Sequence, residues 1–321
     1  MTEPFRLSVG IPLHNEEAVL PELLRRTLAV LDQVEGGPHE LILVDDGSSD
    51  RTVEIITSVL RDDLRIVLVS LSRNFGHQAA LSAALDQVTG DALVLMDGDL
   101  QDAPEEIPRL LACHRDGYDV VYAQRQRRKE NLLLRVAYFI FYRLIASMSR
   151  TRLPLDSGDF SLMSRRVVNE IRRAQEHNRY LRGLRTWVGF RQIGIPVERD
   201  ARVAGRSKYS VRGLLRLALD GIFAFSTAPI RAAALLGALA MGAAVLFALY
   251  AVYARVVLHQ APQGFTSVIV VVTFLAGINL FFLGIIGEYV GRVYEEAKAR
   301  PHYIVKQLIR SGKDVTSDVS R

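Results

Sequence analysis

The sequence predicts an α/β chain whose first part folds as a mostly parallel, doubly wound sheet and whose C-terminal part lies in or on a membrane. Two observations predict the sheet. Short apolar runs alternate with longer amphipathic ones up to about residue 125, the βαβα rhythm of a parallel sheet covered on both faces. Acidic clusters, Asp45-Asp46-Gly47 and Asp97-Gly98-Asp99, follow two of those apolar runs, where ligands sit in such sheets. A third observation predicts the membrane part: Ala232–Tyr253 and Phe265–Val290 are almost free of charge.

Leu7–Leu13 reads as a strand and Glu17–Leu31 as a helix. Glu40–Val44 is a strand, and Ser48-Ser49-Asp50 caps a helix over Arg51–Leu60. Arg65–Leu71 is a strand and Gly76–Val88 a helix rich in Ala and Leu. Ala92–Met96 is a strand, Pro104–Arg115 a helix and Asp119–Ala123 a strand. Asp156–Ser164 reads as a loop followed by a short strand, Val167–Ala174 and Tyr180–Trp187 as helices, and Arg191–Val197 as a strand. Val315–Arg321 is polar and expected to be disordered.

After Arg125 the pattern changes. Arg125–Lys129 is a basic cluster, and Leu132–Met148 is apolar but carries Arg135 and Arg143. Two interior cations are costly in hydrocarbon, so an in-plane interfacial helix fits better than a span; a buried core helix is the alternative. Val211–Phe225 has the same character and reads as a juxtamembrane helix.

Hydrophobic residues make up 49% of the chain beside 23% charged ones, an apolar excess that the two C-terminal runs absorb. Each exceeds the ~20 residues that cross a ~30 Å hydrocarbon core as a helix. Buried core helices are the other reading, and small residues such as Gly237, Ala238, Gly242 and Ala243 favour spans. Leu258–Gly264 has no Lys or Arg, whereas Arg231 precedes the first run and Arg292, Lys298, Arg300, Lys306, Arg310 and Lys313 follow the second. Positive-inside then puts the N-terminal portion and both termini in the cytoplasm of a multi-pass inner-membrane protein. Met1–Arg6 has no apolar stretch of a signal peptide, and the single Cys113 excludes an internal disulfide. The net charge of +5 fits anionic headgroups, and no nucleic-acid partner is expected. The expected layout is an α/β domain over 1–210, a juxtamembrane helix over 211–228, two transmembrane helices over 229–290 (about 231–257 and 265–290), and a cytoplasmic tail over 291–321.

Asp97 and Asp99 are one residue apart at a strand's end, where alternate carboxylates converge on a divalent cation that also touches substrate phosphates. A capped turn before the Pro104 helix is the plain alternative. Taken in order, Val9-Gly10-Ile11-Pro12-Leu13-His14-Asn15-Glu16-Glu17, Val44–Asp50, Arg73-Asn74-Phe75-Gly76-His77-Gln78 and Met96–Asp102 resemble the GT-A glycosyltransferases of family 2. The nearest branch is the polyprenyl-phosphate glycosyltransferases, and the resemblance covers residues 5–300.

That resemblance implies a Rossmann-like GT-A domain and inverting transfer from a nucleotide-sugar to a lipid phosphate at the cytoplasmic membrane face. It implies Mg²⁺ or Mn²⁺ held by Asp97, Asp99 and Gln101. Pro12, Asn15, Glu16 and Asp45 line the nucleotide pocket, Asp45 near base and ribose. Asp159, with Asp156 behind it, occupies the position of a catalytic carboxylate, either as a base or as an orienting group. Arg206, Ser207 and Lys208 belong to a mobile Gly-x-Ser-Lys-Tyr loop, catalytic at Arg206 and diphosphate-binding at Lys208; headgroup binding is the alternative. Arg125 resembles an acceptor-binding arginine. Asp46, Asp50 and Asp102 read as turn or cap residues, and His77 as a structural hydrogen-bonder or a proton shuttle.

The expected donor is UDP-glucose, with GDP-mannose the alternative, and the expected acceptor is undecaprenyl phosphate. A processive polysaccharide synthase of the same superfamily generally carries Gln-x-x-Arg-Trp and more spans. Here Trp187 stands in Leu184-Arg185-Thr186-Trp187-Val188, which argues against one. A non-catalytic membrane scaffold is disfavoured by the intact Asp97, Asp99, Arg206 and Lys208. A homo-oligomer is an expectation from the family.

Overall fold

The computed structural model describes residues 4–125, 157–174, 176, 179–197, 228–257 and 264–318. The expected interfacial helix at 132–148, the juxtamembrane helix and the 205–209 loop lie outside these residues. Among the described residues are strands β1 (Leu7–Leu13), β2 (Glu40–Asp45), β3 (Ile66–Leu71), β4 (Ala92–Leu95), β5 (Val120–Arg125), β6 (Ser157–Ser164), β7 (Gln192–Val197), β8 (Val305–Arg310) and β9 (Lys313–Asp314). The helices are α1 (Leu20–Leu31), α2 (Thr52–Leu60), α3 (His77–Asp86), α4 (Ile107–Arg115), α5 (Arg165–Arg173), α6 (Leu181–Trp187), α7 (Ala228–Val256) and α8 (Phe265–Ala297). They fall into two compact units: the strands with α1–α6, and the pair α7 and α8.

In the first unit all the strands join one sheet in the order β7-β5-β6-β4-β1-β2-β3-β8-β9. Only β6 and β8 run against the rest, so the expected mostly parallel sheet is what forms. The central strands are apolar on both faces because helices cover both. The side chains alternate with a period of two. Leu7, Val9, Ile11, Leu13, Leu41 and Leu43 face the layer of α1, α2 and α4, whereas Ile42, Val44, Val67 and Val69 face that of α3, α5 and α6.

Most element ends fall within a few residues of those expected. Helix α1 starts at Leu20 rather than Glu17, because Glu17 is engaged elsewhere: its N–H donates to Asp50 Oδ2 and its Oε2 accepts Arg51 N–H. Strand β6 begins at Ser157, where a loop was expected, because it is paired on both sides, with β4 and β5.

The expectation of a separate 291–321 tail is corrected. Helix α8 runs to Ala297, and β8 then pairs antiparallel with β3 from Val67↔Arg310 to Leu71↔Val305. Val315–Arg321 was expected to be disordered, yet residues 316–318 form a 3₁₀ turn, and Thr316 Oγ1 accepts the Leu308 N–H. Charge patterning hid this strand: Val305, Leu308 and Ile309 are interleaved with Lys306, Gln307 and Arg310, and only pairing with β3 gives them an apolar neighbour.

The second unit holds the two long helices expected near the C-terminus. Phe274–Ala297 is long and apolar enough to cross a membrane, with a mean hydropathy of 1.6 and none of it buried. In α7 the apolar stretch found is the shorter Leu235–Phe247.

Candidate active site

Strand β1 has β2 and β3 on one side and β4 on the other. The connections therefore diverge between β1 and β4, and a crevice opens at their carboxyl ends. Five segments meet at that edge of the sheet. They are the ends of β1 (His14-Asn15-Glu16), β2 (Asp45-Asp46), β3 (Ser72–Gly76) and β4 (Asp97–Asp102), and the start of the antiparallel β6 (Gly158-Asp159).

The loops after β1 and β2 are laced together. Asn15 N–H donates to Ser48 Oγ at 3.0 Å, and Asn15 Oδ1 accepts Ser49 N–H at 2.8 Å. Asn15 sits at φ +57°, in the left-handed region that its short amide tolerates. Glu16 N–H donates to Thr52 Oγ1. Asp45 is buried and accepts Ser48 N–H at 3.0 Å. Asp46 reaches further: its two oxygens accept Phe75 N–H at 2.7 Å and Gly76 N–H at 2.9 Å. Gly47, at φ +66°, packs so close that a Cβ would lie 2.6 Å from the Asn74 nitrogen. The turn after β2 thus fixes the loop that delivers His77.

The Asp97-Gly98-Asp99 turn packs against the end of β1. A Cβ on Gly98 would stand 2.6 Å from Leu13 Cδ2 and 3.0 Å from Pro12 O, so a side chain there would press on the end of β1 between the two acids. Leu100 follows at φ +56°, an uncommon conformation for a branched residue. Beyond that turn, Gln101 N–H reaches Asp99 Oδ1 at 3.2 Å.

Three side chains converge beside the turn. His77 Nε2 lies 3.4 Å from Asp97 Oδ1 and 3.4 Å from Asp159 Oδ2. The ligand atoms of His77, Asp97 and Asp159 all lie within 4.8 Å of one another, and Asp99 is outside this group. Arg182 on α6 forks onto Asp159, Nε to Oδ1 at 2.7 Å and Nη2 to Oδ2 at 2.5 Å. Burial pushes the Asp159 carboxyl up, but Arg182 and His77 outweigh it and hold it far below the usual carboxylate range. Burial lowers the His77 imidazole, and the bond to Asp159 with the charges of Asp97 and Asp159 raises it by more, so its pKa ends above the ordinary value. Arg185, one turn on from Arg182, is buried at 2% exposure, and desolvation pushes it down to about 10.

In donor chemistry alone, Asp97, Asp99 and the Gln101 amide offer oxygens, which a hard cation such as Mg²⁺ or Mn²⁺ prefers, whereas the ligand atoms that the structure brings together are those of His77, Asp97 and Asp159. Asp159 suits such a cation less, because both its oxygens already hold a guanidinium. The close neighbours of Asp97 are therefore Asp159 and His77, which were not expected to share it.

Of the other expected site residues, Pro12, Asn15, Glu16 and Asp45 all lie at the carboxyl edge of β1 and β2. Arg125 ends β5. Arg206 and Lys208 lie outside the described residues. Sequence reading missed Arg182 and the reach of Asp46. A signal existed for Arg185 alone: Leu181, Leu184 and Arg185 fall on one helical face, and a cation on an apolar stripe needs a partner.

The profile of glycosyl transferase family 2 matches residues 8–172. An uncharacterized glycosyltransferase of Bacillus subtilis is 41% identical, over 96% of this chain and 95% of its own. The bactoprenol glucosyl transferase of Shigella phage SfX is 36% identical, over 94% of this chain and 99% of its own. A prophage bactoprenol glucosyl transferase homolog of Escherichia coli K12 is also 36% identical, over 94% of this chain. Among solved structures, a glucosyl-3-phosphoglycerate synthase of Mycobacterium tuberculosis with bound UDP aligns at a TM-score of 0.46 and 19% identity, over 68% of this chain and 78% of that one; so loose a likeness carries no weight.

Proposed function

The chain belongs to glycosyl transferase family 2, and from that premise we propose that it transfers glucose from UDP-glucose to a polyprenyl phosphate, undecaprenyl phosphate, at the cytoplasmic face of a membrane. The observation that carries this reading is near-full-length similarity to bactoprenol glucosyl transferases in a chain whose two acids follow β4 in the crevice of its sheet.

In the proposed reaction an oxygen of the lipid phosphate attacks the anomeric carbon, the bond from that carbon to the diphosphate breaks, and the centre inverts. The acceptor is already an anion near neutral pH, so little deprotonation is required. Pro12, Asn15, Glu16 and Asp45 line the nucleotide end. Asp97 and Asp99, with Gln101, would hold Mg²⁺ or Mn²⁺, which when bound offsets the charge growing on the departing diphosphate. Asp159 faces the sugar and orients it. Arg206 and Lys208 supply cations to the departing diphosphate, and Arg125 receives the acceptor phosphate.

The two C-terminal helices fit a pair of membrane spans. Leu235, Leu239, Leu246, Phe247, Phe274 and Leu280 are each more than 60% exposed. Left in water, such side chains forgo roughly 1.5–3 kcal/mol apiece, and lipid removes that cost. Both termini then lie in the cytoplasm.

The test is transfer of label from UDP-[¹⁴C]glucose to undecaprenyl phosphate by the purified chain with Mn²⁺, extracted into organic solvent. GDP-[¹⁴C]mannose serves as the competing donor and EDTA as the control. Organic-phase glucose that disappears with EDTA is the expected result; no transfer from either donor by folded protein sinks the reading.

A further inference from the structure

Asp159 stands at the start of β6, and the register that pairs Leu95 with Ser161 carries Asp159 alongside Asp97. Helix α6 holds this corner through two arginines three residues apart. Arg182 takes both carboxylate oxygens of Asp159 in a fork. Arg185 lies beneath, where Nη1 donates to Gly158 O at 3.3 Å and the guanidinium stacks over the Tyr122 ring at 5.0 Å. Ser161 Oγ donates to the Asp159 carbonyl at 2.9 Å. The helix is itself registered to the loop of His77, because Gln78 Oε1 accepts Leu181 N–H at 3.0 Å.

We infer that Arg182 is a positioning residue for the transfer: with Arg185 behind it, it fixes Asp159 as an anion whose oxygens are both committed, so that Asp159 receives a substrate hydroxyl and does not remove a proton. This rests on the glycosyl-transfer reading of the site. A carboxylate has about four lone-pair sites. Arg182 uses two, and His77 at 3.4 Å approaches a third. The remaining capacity accepts one hydroxyl of a sugar. A planar guanidinium fork also sets the carboxylate plane, which a lysine point charge does not. The lipid phosphate needs no base, so a fixed acceptor is worth more here than a proton-accepting one.

The buried pair has a purely structural alternative, and charge and geometry separate the two. Arg182→Lys keeps the cation and loses the fork; Arg182→Met with Asp159→Asn removes both charges of the pair, leaving Arg185 on Gly158 O and the Tyr122 ring. Measured as transfer from UDP-[¹⁴C]glucose in lipid nanodiscs, Arg182→Lys is expected to keep the wild-type Tm within a few degrees. It should lose about 100-fold or more in kcat, with donor KM within about 3-fold. Asp159→Asn is expected to lose as much, and Arg182→Lys added to it nothing further, since the two act as one unit. The charge-free double variant is expected to fold and stay inactive. Full kcat in Arg182→Lys, multiplying losses, or an active charge-free double variant would overturn the positioning role. No transfer by the wild-type chain from either labelled donor overturns the reaction itself, and this role with it; wild-type transfer beside an unimpaired Arg182→Lys overturns this role alone.

Discussion

Asp97 Oδ1 and Asp159 Oδ2 lie at the same distance, 3.4 Å, from a single atom, Nε2 of His77. One acid follows a parallel strand and the other opens an antiparallel one, so the reversal of β6 beside β4 makes the meeting. Two carboxylates so close repel unless cations stand between and behind them. Here His77 stands between and Arg182 behind.

Asp99→Asn keeps size and hydrogen-bonding capacity but removes a negative donor. The expected result is loss of transfer by about 100-fold or more, with Tm nearly unchanged because the side chain is only half-buried. Asp97→Asn is expected to lose at least as much. Activity titrated against Mn²⁺ checks both, and a wild-type Mn²⁺ response in either variant removes the metal assignment.

Gly98→Ala places a methyl 2.6 Å from Leu13 Cδ2. Overpacking of this kind costs roughly 1–3 kcal/mol, and relief by displacing the turn would also move Asp97 and Asp99. The expected outcome is a lower Tm together with lower transfer. Leu13→Val in the same chain should recover part of both, because the branch in contact is shortened. Thermal unfolding and label transfer on the single and double variants decide it.

Glu40 is buried at the start of β2 and accepts from Ser8 Oγ at 2.5 Å, Thr89 N–H at 2.6 Å and Arg310 Nη1 at 2.7 Å. Arg310 belongs to β8, beyond both long helices. Arg310→Met leaves the carboxylate with Ser8 and Thr89 but no cation; breaking a fully buried pair costs about 3–5 kcal/mol, and a smaller loss is expected here because Arg310 is 27% exposed. Adding Glu40→Gln should restore much of it by removing the charge. If Tm is the same in wild type and Arg310→Met, β8 does not hold the sheet in this way.

Asp119 is buried and receives the Arg166 guanidinium and the Ser164 hydroxyl. Burial pushes its carboxyl up, yet Arg166 and Ser164 pull it further down, and its folded pKa ends below the ordinary value. A depressed carboxyl stabilises the fold above its unfolded pKa of about 3.9 and loses that contribution as pH falls through the folded value. As pH falls below about 4, the wild-type Tm should therefore fall more steeply than that of Asp119→Asn. Parallel slopes for the two proteins would count against the pairing.

Much of the sheet was legible because its signals are local. A run such as Leu41-Ile42-Leu43-Val44 followed by Asp45-Asp46-Gly47 declares a buried strand and its turn without reference to anything distant. Asp97-Gly98-Asp99 was legible for the same reason. What stayed hidden depended on partners far along the chain. Val305–Arg310 has too little apolar content to announce a strand and forms one against β3. Arg182 reads as one of several arginines in a basic stretch until β6 brings Asp159 beneath it.

The βαβα order, the acids at strand ends, the apolar C-terminal helices and the family were readable from the linear chain, since periodicity and motif are properties of neighbouring residues. The folded arrangement alone set which carboxylates share His77, which arginine grips Asp159, and that β8, beyond both long helices, joins the sheet at β3. Those are pairings between distant segments, set by strand register and burial, and a linear pattern does not encode which buried charge will meet which.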